Sequence, residues 1–366
     1  MTAGHQHPAS TPPPLWGTVL AVQANFYRVQ LAQPQSGAAP PARDSLLCTR
    51  RSRLKKLGQR VMVGDRVEIA EPDWQGGRGA ISAVLPRQTE LDRPPVANAD
   101  QILLVFALAE PALDPHQLTR FLVKAESTGL RVQLCLSKGD LLSPAERIQW
   151  EQRLQQWGYR PIIISVLAGW GVEQLAIALQ HQMTVVSGPS GVGKSSLINQ
   201  LVPQAQLRVA AVSGKLARGR HTTRHVELFE LPNGGLLADT PGFNQPELTC
   251  LPGHLAPCFP EIRQHLAATA CQFSDCLHRD EPDCAVRGDW ERYSDYLLLL
   301  EEAIARQTAI ARTTDDEAVT KTKSSSQGRQ TYEPKLASKK YRRPSRRTQQ
   351  RELQVLQAEE EDPLDP

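Results

Sequence analysis

Eight consecutive residues constrain this chain more than any others. Gly188-Pro189-Ser190-Gly191-Val192-Gly193-Lys194-Ser195 reads G-x-x-x-x-G-K-S. An apolar run at 184–186 precedes it, and 196–201, opening on Ser196, reads as a helix. A strand, a glycine-rich turn and a helix in that order make a phosphate cradle. The glycines let successive backbone N–H groups turn inward around an anion, and the helix N-terminus adds positive potential. Lys194 is placed to reach the β- and γ-phosphates of a nucleotide, and the Ser195 hydroxyl to ligate Mg²⁺. The same cradle suits a nucleotide kinase or a transport ATPase. The base and the reaction must therefore be read from other segments.

The surrounding pattern is that of a parallel sheet covered by helices. Apolar runs at 101–108, 131–136, 161–166 and 184–186 alternate with helical stretches at 115–127, 144–157 and 172–181. Continuous rather than alternating apolar runs belong to strands buried on both faces. A long loop at 201–219 follows, then a hairpin of 225–231 and 235–238 turning on Pro232-Asn233-Gly234-Gly235. Ahead of this region, short strands at 18–31, 61–69 and 79–85 predict a small barrel, of the oligonucleotide/oligosaccharide-binding (OB) type, or else a small open sheet. Beyond Phe243 the chain is rich in Pro and Cys, then helical at 289–311.

The predicted organisation is multidomain. Residues 1–15 are a disordered N-terminus and 16–90 an OB-like RNA-binding β-barrel. An α/β P-loop domain spans 91–245, a zinc-binding helical domain 246–312, and a disordered basic-then-acidic tail 313–366. The tail has few apolar residues and dense charge, too little burial to offset the entropy of ordering. The longest apolar runs are about eight residues against the roughly 20 that a bilayer needs, so no membrane partner is expected. The first fourteen residues lack the basic start and apolar centre of a secretory signal, which predicts a cytoplasmic protein.

Charge is uneven. The net +3 conceals Arg50, Arg51, Arg53, Lys55, Lys56 and Arg60, expected in a loop between barrel strands. It also conceals eleven Lys/Arg against one acid between Lys321 and Arg351. Blocks of this kind fit a polyanionic partner or a solvated tail.

Three further segments read as companions of the phosphate loop. Asp239-Thr240-Pro241-Gly242 ends a hairpin strand: Asp239 would support the Mg²⁺ shell, and the Gly242 N–H would meet the γ-phosphate. Ser137-Lys138-Gly139-Asp140 ends the 131–136 strand. The Asp140 carboxylate can accept from the N1 and N2 side of guanine, where adenine offers no donors, while the Lys138 stem lies along the base. Ser165-Val166 stands at the end of the next strand. Gly219-Arg220-His221-Thr222-Thr223-Arg224 supplies a hydroxyl for Mg²⁺ and γ-phosphate sensing, Thr223 first and Thr222 as the alternative.

Seven cysteines without a secretory signal point away from disulfides. Cys271-x4-Cys276-x-His278-x5-Cys284 places three thiolates and an imidazole within fourteen residues. That is a filled tetrahedral Zn²⁺ set, hence structural, in a segment with little apolar material of its own.

The order of the motifs is distinctive, because the base-reading segments precede the phosphate loop. This permuted order, together with Gly188–Ser196, Gly219–Thr223, Asp239–Phe243 and the Cys/His set, resembles the ribosome small subunit-dependent GTPase A family of circularly permuted ribosome-assembly GTPases. The resemblance covers residues 16–311 or so. It implies hydrolysis of GTP to GDP and phosphate with Mg²⁺, bound Zn²⁺, and action in late maturation of the small (30S) ribosomal subunit through its 16S rRNA. No DNA partner is implied, and a monomer is expected. The family usually has Asn or Thr where this chain has Ser137. Serine is expected not to span to the phosphate loop as an amide does, at a loss on the order of 1 kcal/mol. Phe243 stands where a water-orienting glutamine would be, which predicts slow intrinsic hydrolysis. His221 is the nearest candidate to position water, beside Thr223 and Lys194 as the catalytic set. The competing readings are a P-loop nucleotide kinase and a non-catalytic GTP-sensing rRNA-binding adaptor.

Overall fold

The computed structural model describes residues 14–32, 43–92, 94–203, 205, 226–239, 248–317, 320–324 and 330–334. Strands β1 (Leu15–Gln23), β2 (Phe26–Leu31), β3 (Ser45–Arg50), β4 (Arg66–Asp73) and β5 (Arg78–Val84) form a closed barrel. β1 pairs with β2 and β4, β2 with β3, and β4 with β5, while β3 runs parallel to β5. This is the OB-like barrel, not an open sheet. Alternation fills it: Tyr27, Val29 and Leu31 of β2 and Leu46 and Cys48 of β3 point inward to meet Val67, Ile69 and Ile81.

Two features of the barrel depart from expectation. β3 carries the doublet Leu46-Leu47, of which only Leu46 is buried, so its alternation does not show in the sequence. The basic cluster is not simply a loop. It contains the short helix α1 (Ser52–Lys56), held by the buried Leu54 while Arg53, Lys55 and Lys56 stay exposed.

A short hairpin, β6 (Glu90–Asp92) and β7 (Pro95–Ala97), leads into the α/β region. There β8 (Gln101–Ala107), α2 (Pro115–Glu126), β9 (Arg131–Ser137), α3 (Pro144–Gln156), β10 (Ile162–Ile163), α4 (Val172–Ala178), β11 (Met183–Ser187) and α5 (Lys194–Leu201) follow in turn. β12 (Glu227–Glu230) and β13 (Leu236–Asp239) close it as an antiparallel hairpin. The strand order is β10-β9-β8-β11-β13-β12, parallel throughout except for β12. All seven residues of β8 are buried. Ile102, Leu104 and Phe106 pack towards α2 and α3, and Leu103, Val105 and Ala107 towards α4 and α5. Asp114 and Ser143 cap α2 and α3, the latter through a capping box with Glu146.

The barrel is joined to this sheet. β1 pairs with β12 at Ala21 and Glu227, and Arg28 forms an ion pair with Glu227 at 2.6 Å. Next to β1, Asp65 is fully buried, its backbone carbonyl accepting from the Val19 N–H and its carboxylate from Arg87 at 2.8 and 3.0 Å and from the Met62 N–H at 2.8 Å.

After β13 the described chain resumes in two short 3₁₀ turns and α6 (Pro260–Ala268), an element the sequence reading did not anticipate. It ends its helical part in α7 (Tyr293–Glu317), which starts later and runs longer than 289–311. Val123 of α2 enters a cluster with Leu255, Phe259, Ile262, Tyr296, Leu299 and Leu300. Arg292, 1% exposed, forms a two-pronged ion pair with Glu261 and lies over Trp157 (4.7 Å) and Phe259 (5.0 Å). Residues from Ala305 onward form a separate unit. In the stretch expected to be disordered, β14 (Thr320–Ser324) and β15 (Gln330–Pro334) pair antiparallel.

The buried Asp65–Arg87 pair yields a test. Arg87→Met would leave the Asp65 carboxylate buried and without its cation, a situation that costs on the order of 3 kcal/mol. Urea denaturation should show that loss, with Asp65→Asn in the Arg87→Met background recovering part of it.

Candidate functional site

The phosphate loop leaves β11 and ends at Gly193, the N-cap of α5. Gly188 has φ +142°, and a Cβ there would sit 2.1 Å from the Val105 carbonyl oxygen of β8. Only glycine lets the loop start this close to the central strand. The Lys194 ammonium donates to the Gly188 and Pro189 carbonyls at 2.7 and 2.6 Å. Burial pushes its pKa down, and the Asp239 carboxylate partly opposes that shift. Asp239 ends β13 in register with Val186 of β11, so its charge stands beside the loop as expected. Ser195 lies in the first turn of α5, followed by Ser196. Ser195 and Asp239 offer hard oxygen donors at the C-terminal end of the sheet, a set that suits Mg²⁺.

The Ser137–Asp140 segment stands at the same end of the sheet. Ser137 ends β9, 3% exposed, and its Oγ donates to the Val192 carbonyl of the phosphate loop at 2.5 Å, with the Phe106 carbonyl at 3.2 Å. This corrects the expectation that serine falls short of the loop. Val192 is 1% exposed and folds down into the core under α5, bringing its carbonyl to the hydroxyl. The descent of the loop, not the length of the side chain, closes the gap. Lys138 is left-handed (φ +56°), and its ammonium donates to the Glu110 carbonyl. Gly139 donates to the Ile164 carbonyl at 3.0 Å, and Asp140 follows, exposed, in a 3₁₀ turn. Ser165 is fully buried, and its hydroxyl accepts from the Ala168 N–H at 3.0 Å. It thus orders the loop that carries Val166.

His221, Thr222, Thr223, Gly242 and Phe243 lie outside the described residues. Sequence reasoning missed Glu110, and although Val192 belongs to the expected phosphate loop its bond to Ser137 was not foreseen; both act through backbone carbonyls, which leave no residue-type signal.

The Cys/His set converges as its spacing implied. The ligand atoms of Cys271, Cys276, His278 and Cys284 all lie within 4.8 Å of one another. His278 Nδ1 is 3.5, 3.4 and 3.5 Å from the three sulfurs, and Cys271 and Cys284 are 3.9 Å apart. A Zn²⁺ tetrahedron with bonds of ~2.3 Å to sulfur and ~2.0 Å to nitrogen needs separations of about 3.5 and 3.8 Å. The set could therefore hold that ion. His278 sits at φ +57° in a turn held by Glu281, whose carboxylate accepts from the N–H groups of Leu277, Arg279 and Asp280. Partial burial raises the Glu281 pKa, but these donors outweigh it and hold the group down at about 2. The Tyr296 and Tyr293 hydroxyls of α7 donate to the carbonyls of Leu277 (2.7 Å) and His278 (3.0 Å).

A family model described as RsgA GTPase matches residues 84–249. The chain is 64% identical to the small ribosomal subunit biogenesis GTPase RsgA of Trichormus variabilis, over 95% of this chain and 98% of that protein. The chain belongs to the RsgA GTPase family. A second RsgA, from a Nostoc species, is 63% identical with the same coverage. Among solved structures, YjeQ from Thermotoga maritima matches with a TM-score of 0.66 and 30% identity, over 80% of this chain and 99% of that one. YloQ, described as a circularly permuted GTPase, matches with a TM-score of 0.66 and 30% identity over 82% and 99%. As an RsgA GTPase, this chain is a GTP hydrolase with a circularly permuted GTPase fold.

Two measurements follow for this RsgA GTPase. Ser137→Ala should weaken GDP binding about fivefold, the equivalent of ~1 kcal/mol for one buried hydrogen bond, in a fluorescent-nucleotide titration. Glu281→Ala frees three N–H groups around His278, so if Zn²⁺ is loaded into the Cys/His set, a colorimetric chelator should remove it from that variant faster than from the parent.

Proposed function

We propose that this chain acts in late maturation of the small ribosomal subunit, binding the subunit and hydrolysing GTP in response to it. The observation that carries the reading is the Ser137–Val192 hydrogen bond, which ties the guanine-reading turn to the phosphate loop at the C-terminal end of the sheet. The curated relatives, aligned over nearly the whole chain, are named for biogenesis of that subunit.

In this reading Asp140 accepts from the guanine edge, with Lys138, Gly139, Ser165 and Val166 around the base. The loop from Gly188 to Ser195 wraps the phosphates, and Lys194 trades its loop carbonyls for phosphate oxygens. Ser195, Asp239 and Thr223 would hold Mg²⁺, which neutralises phosphate charge when bound. The Gly242 N–H would meet the γ-phosphate, and His221 would position the attacking water. Cys271, Cys276, His278 and Cys284 would hold Zn²⁺ as a structural staple. The exposed cations Arg51, Arg53, Lys55, Lys56 and Arg60 on and around α1 give the barrel a surface for rRNA phosphates, whose grip should fall steeply with salt. The protein would work as a monomer in the cytoplasm, where ribosomes are assembled.

Phosphate release should rise by on the order of tenfold or more when small subunits are added, as expected of a site completed by its partner. Lys194→Ala should abolish that rise. Turnover equal with and without subunits would overturn the proposal. Asp140→Asn should move preference from guanosine to xanthosine nucleotides, because an amide donates where the carboxylate accepts.

A further inference from the structure

Gly139, between the two residues assigned to the base, is enclosed on three sides. A Cβ on it would lie 2.6 Å from Trp170 Cη2, 2.8 Å from Ile163 Cγ2 and 3.3 Å from the Ile164 carbonyl oxygen. The Trp170 ring therefore rests against the bare Gly139 backbone. Trp170 belongs to the other base-side segment: its carbonyl accepts from the Ser165 N–H at 3.0 Å, closing the loop that carries Val166. Above the ring stands Arg147 of α3, its guanidinium carbon 5.0 Å from the ring centroid, and its Nη1 donates to the Gly139 carbonyl at 3.3 Å. Ring and guanidinium thus grip the same peptide unit. They leave the next residue, Asp140, exposed and projecting from a fixed turn.

The geometry points to Trp170, clamped by Arg147, as a positioning residue for guanine selection: it links the two base-side segments and fixes the Gly139-Asp140 peptide so that the carboxylate meets both N1 and N2 donors. This rests on the guanine reading of Asp140 and extends it to residues outside any recognition motif. A carboxylate on a loose turn can still meet one donor, but meeting two together demands a fixed angle, since a displacement of about 1 Å spoils a two-point contact. The signature is therefore selectivity against a base that lacks the second donor, rather than affinity alone. Hypoxanthine keeps N1–H and lacks the 2-amino group.

The test is direct titration of the full-length protein with GDP, IDP and XDP. Trp170→Ala should bind GDP about tenfold more weakly, with the GDP:IDP preference lowered at least about threefold, because the second contact is lost first. Trp170→Phe should keep the preference near that of the parent. Arg147→Met removes the clamp without emptying the space beside Gly139 and should lower the preference in the same direction. An unchanged GDP:IDP preference in both Trp170→Ala and Arg147→Met overturns the inference. So does a loss that Trp170→Phe shares in full. Asp140→Asn, run in parallel, separates the two levels. If it fails to shift preference towards XDP, the guanine reading itself falls, and the role of Trp170 with it. If it shifts preference while the Trp170 and Arg147 variants select normally, only the positioning role is refuted.

Discussion

The Ser137 hydroxyl reaches the Val192 carbonyl across the C-terminal end of β8, and through it the Ser137–Asp140 turn is bound to the Gly188–Ser195 loop. Those segments lie 55 residues apart in the chain and two strands apart in the sheet. Strand order, not chain order, brings them together, and a GTPase can therefore be permuted without harm to its site. Everything the site does depends on β8, buried along its whole length, setting the distance between β9 on one side and β11 on the other.

The parts of the fold that were legible in sequence were those with a strict local signature. The phosphate loop demands glycine where Gly188 meets the Val105 carbonyl. Four soft ligands at short spacing announce a metal centre, and doubly buried strands read as unbroken apolar runs. What stayed hidden has physical reasons as well. β3 has one buried and one exposed leucine side by side, α1 is a single turn held by Leu54, and α6 is short with most of its surface wet. The reach of Ser137 could not be read from its side chain, because the partner is a backbone atom whose height is set by the packing of Val192. Trp170 and Arg147 belong to no motif, and only the packing around Gly139 gives them a role.

The region carrying the Cys/His set is fastened to the helices that cover β8. Arg292 is buried between Glu261, Trp157 and Phe259, and Trp157 itself donates to Glu291 at 2.7 Å. Arg120 of α2 adds a two-pronged pair with Glu302 at 2.7 and 3.0 Å. Val123 of α2 lies in one buried cluster with Leu255, Phe259 and Tyr296, so parting this region from α2 would return apolar surface to water. Any displacement of this region would therefore carry α2 with it. α2 is connected through a short loop to β8 and to Glu110, whose carbonyl holds Lys138. The Ser137–Asp140 side of the site and the Cys/His region thus share one lever.

The pairing of β1 with β12 also has a consequence for solubility. A hairpin strand at the margin of an open sheet exposes unsatisfied amides and carbonyls that recruit any passing extended peptide. Here one margin is β10, only two residues long, and the other is sealed by a cylinder that closes on itself. A fragment cut away in front of β8 would lose that seal and present β12 as a sticky border. The barrel guards the catalytic sheet against self-association, whatever else it grips.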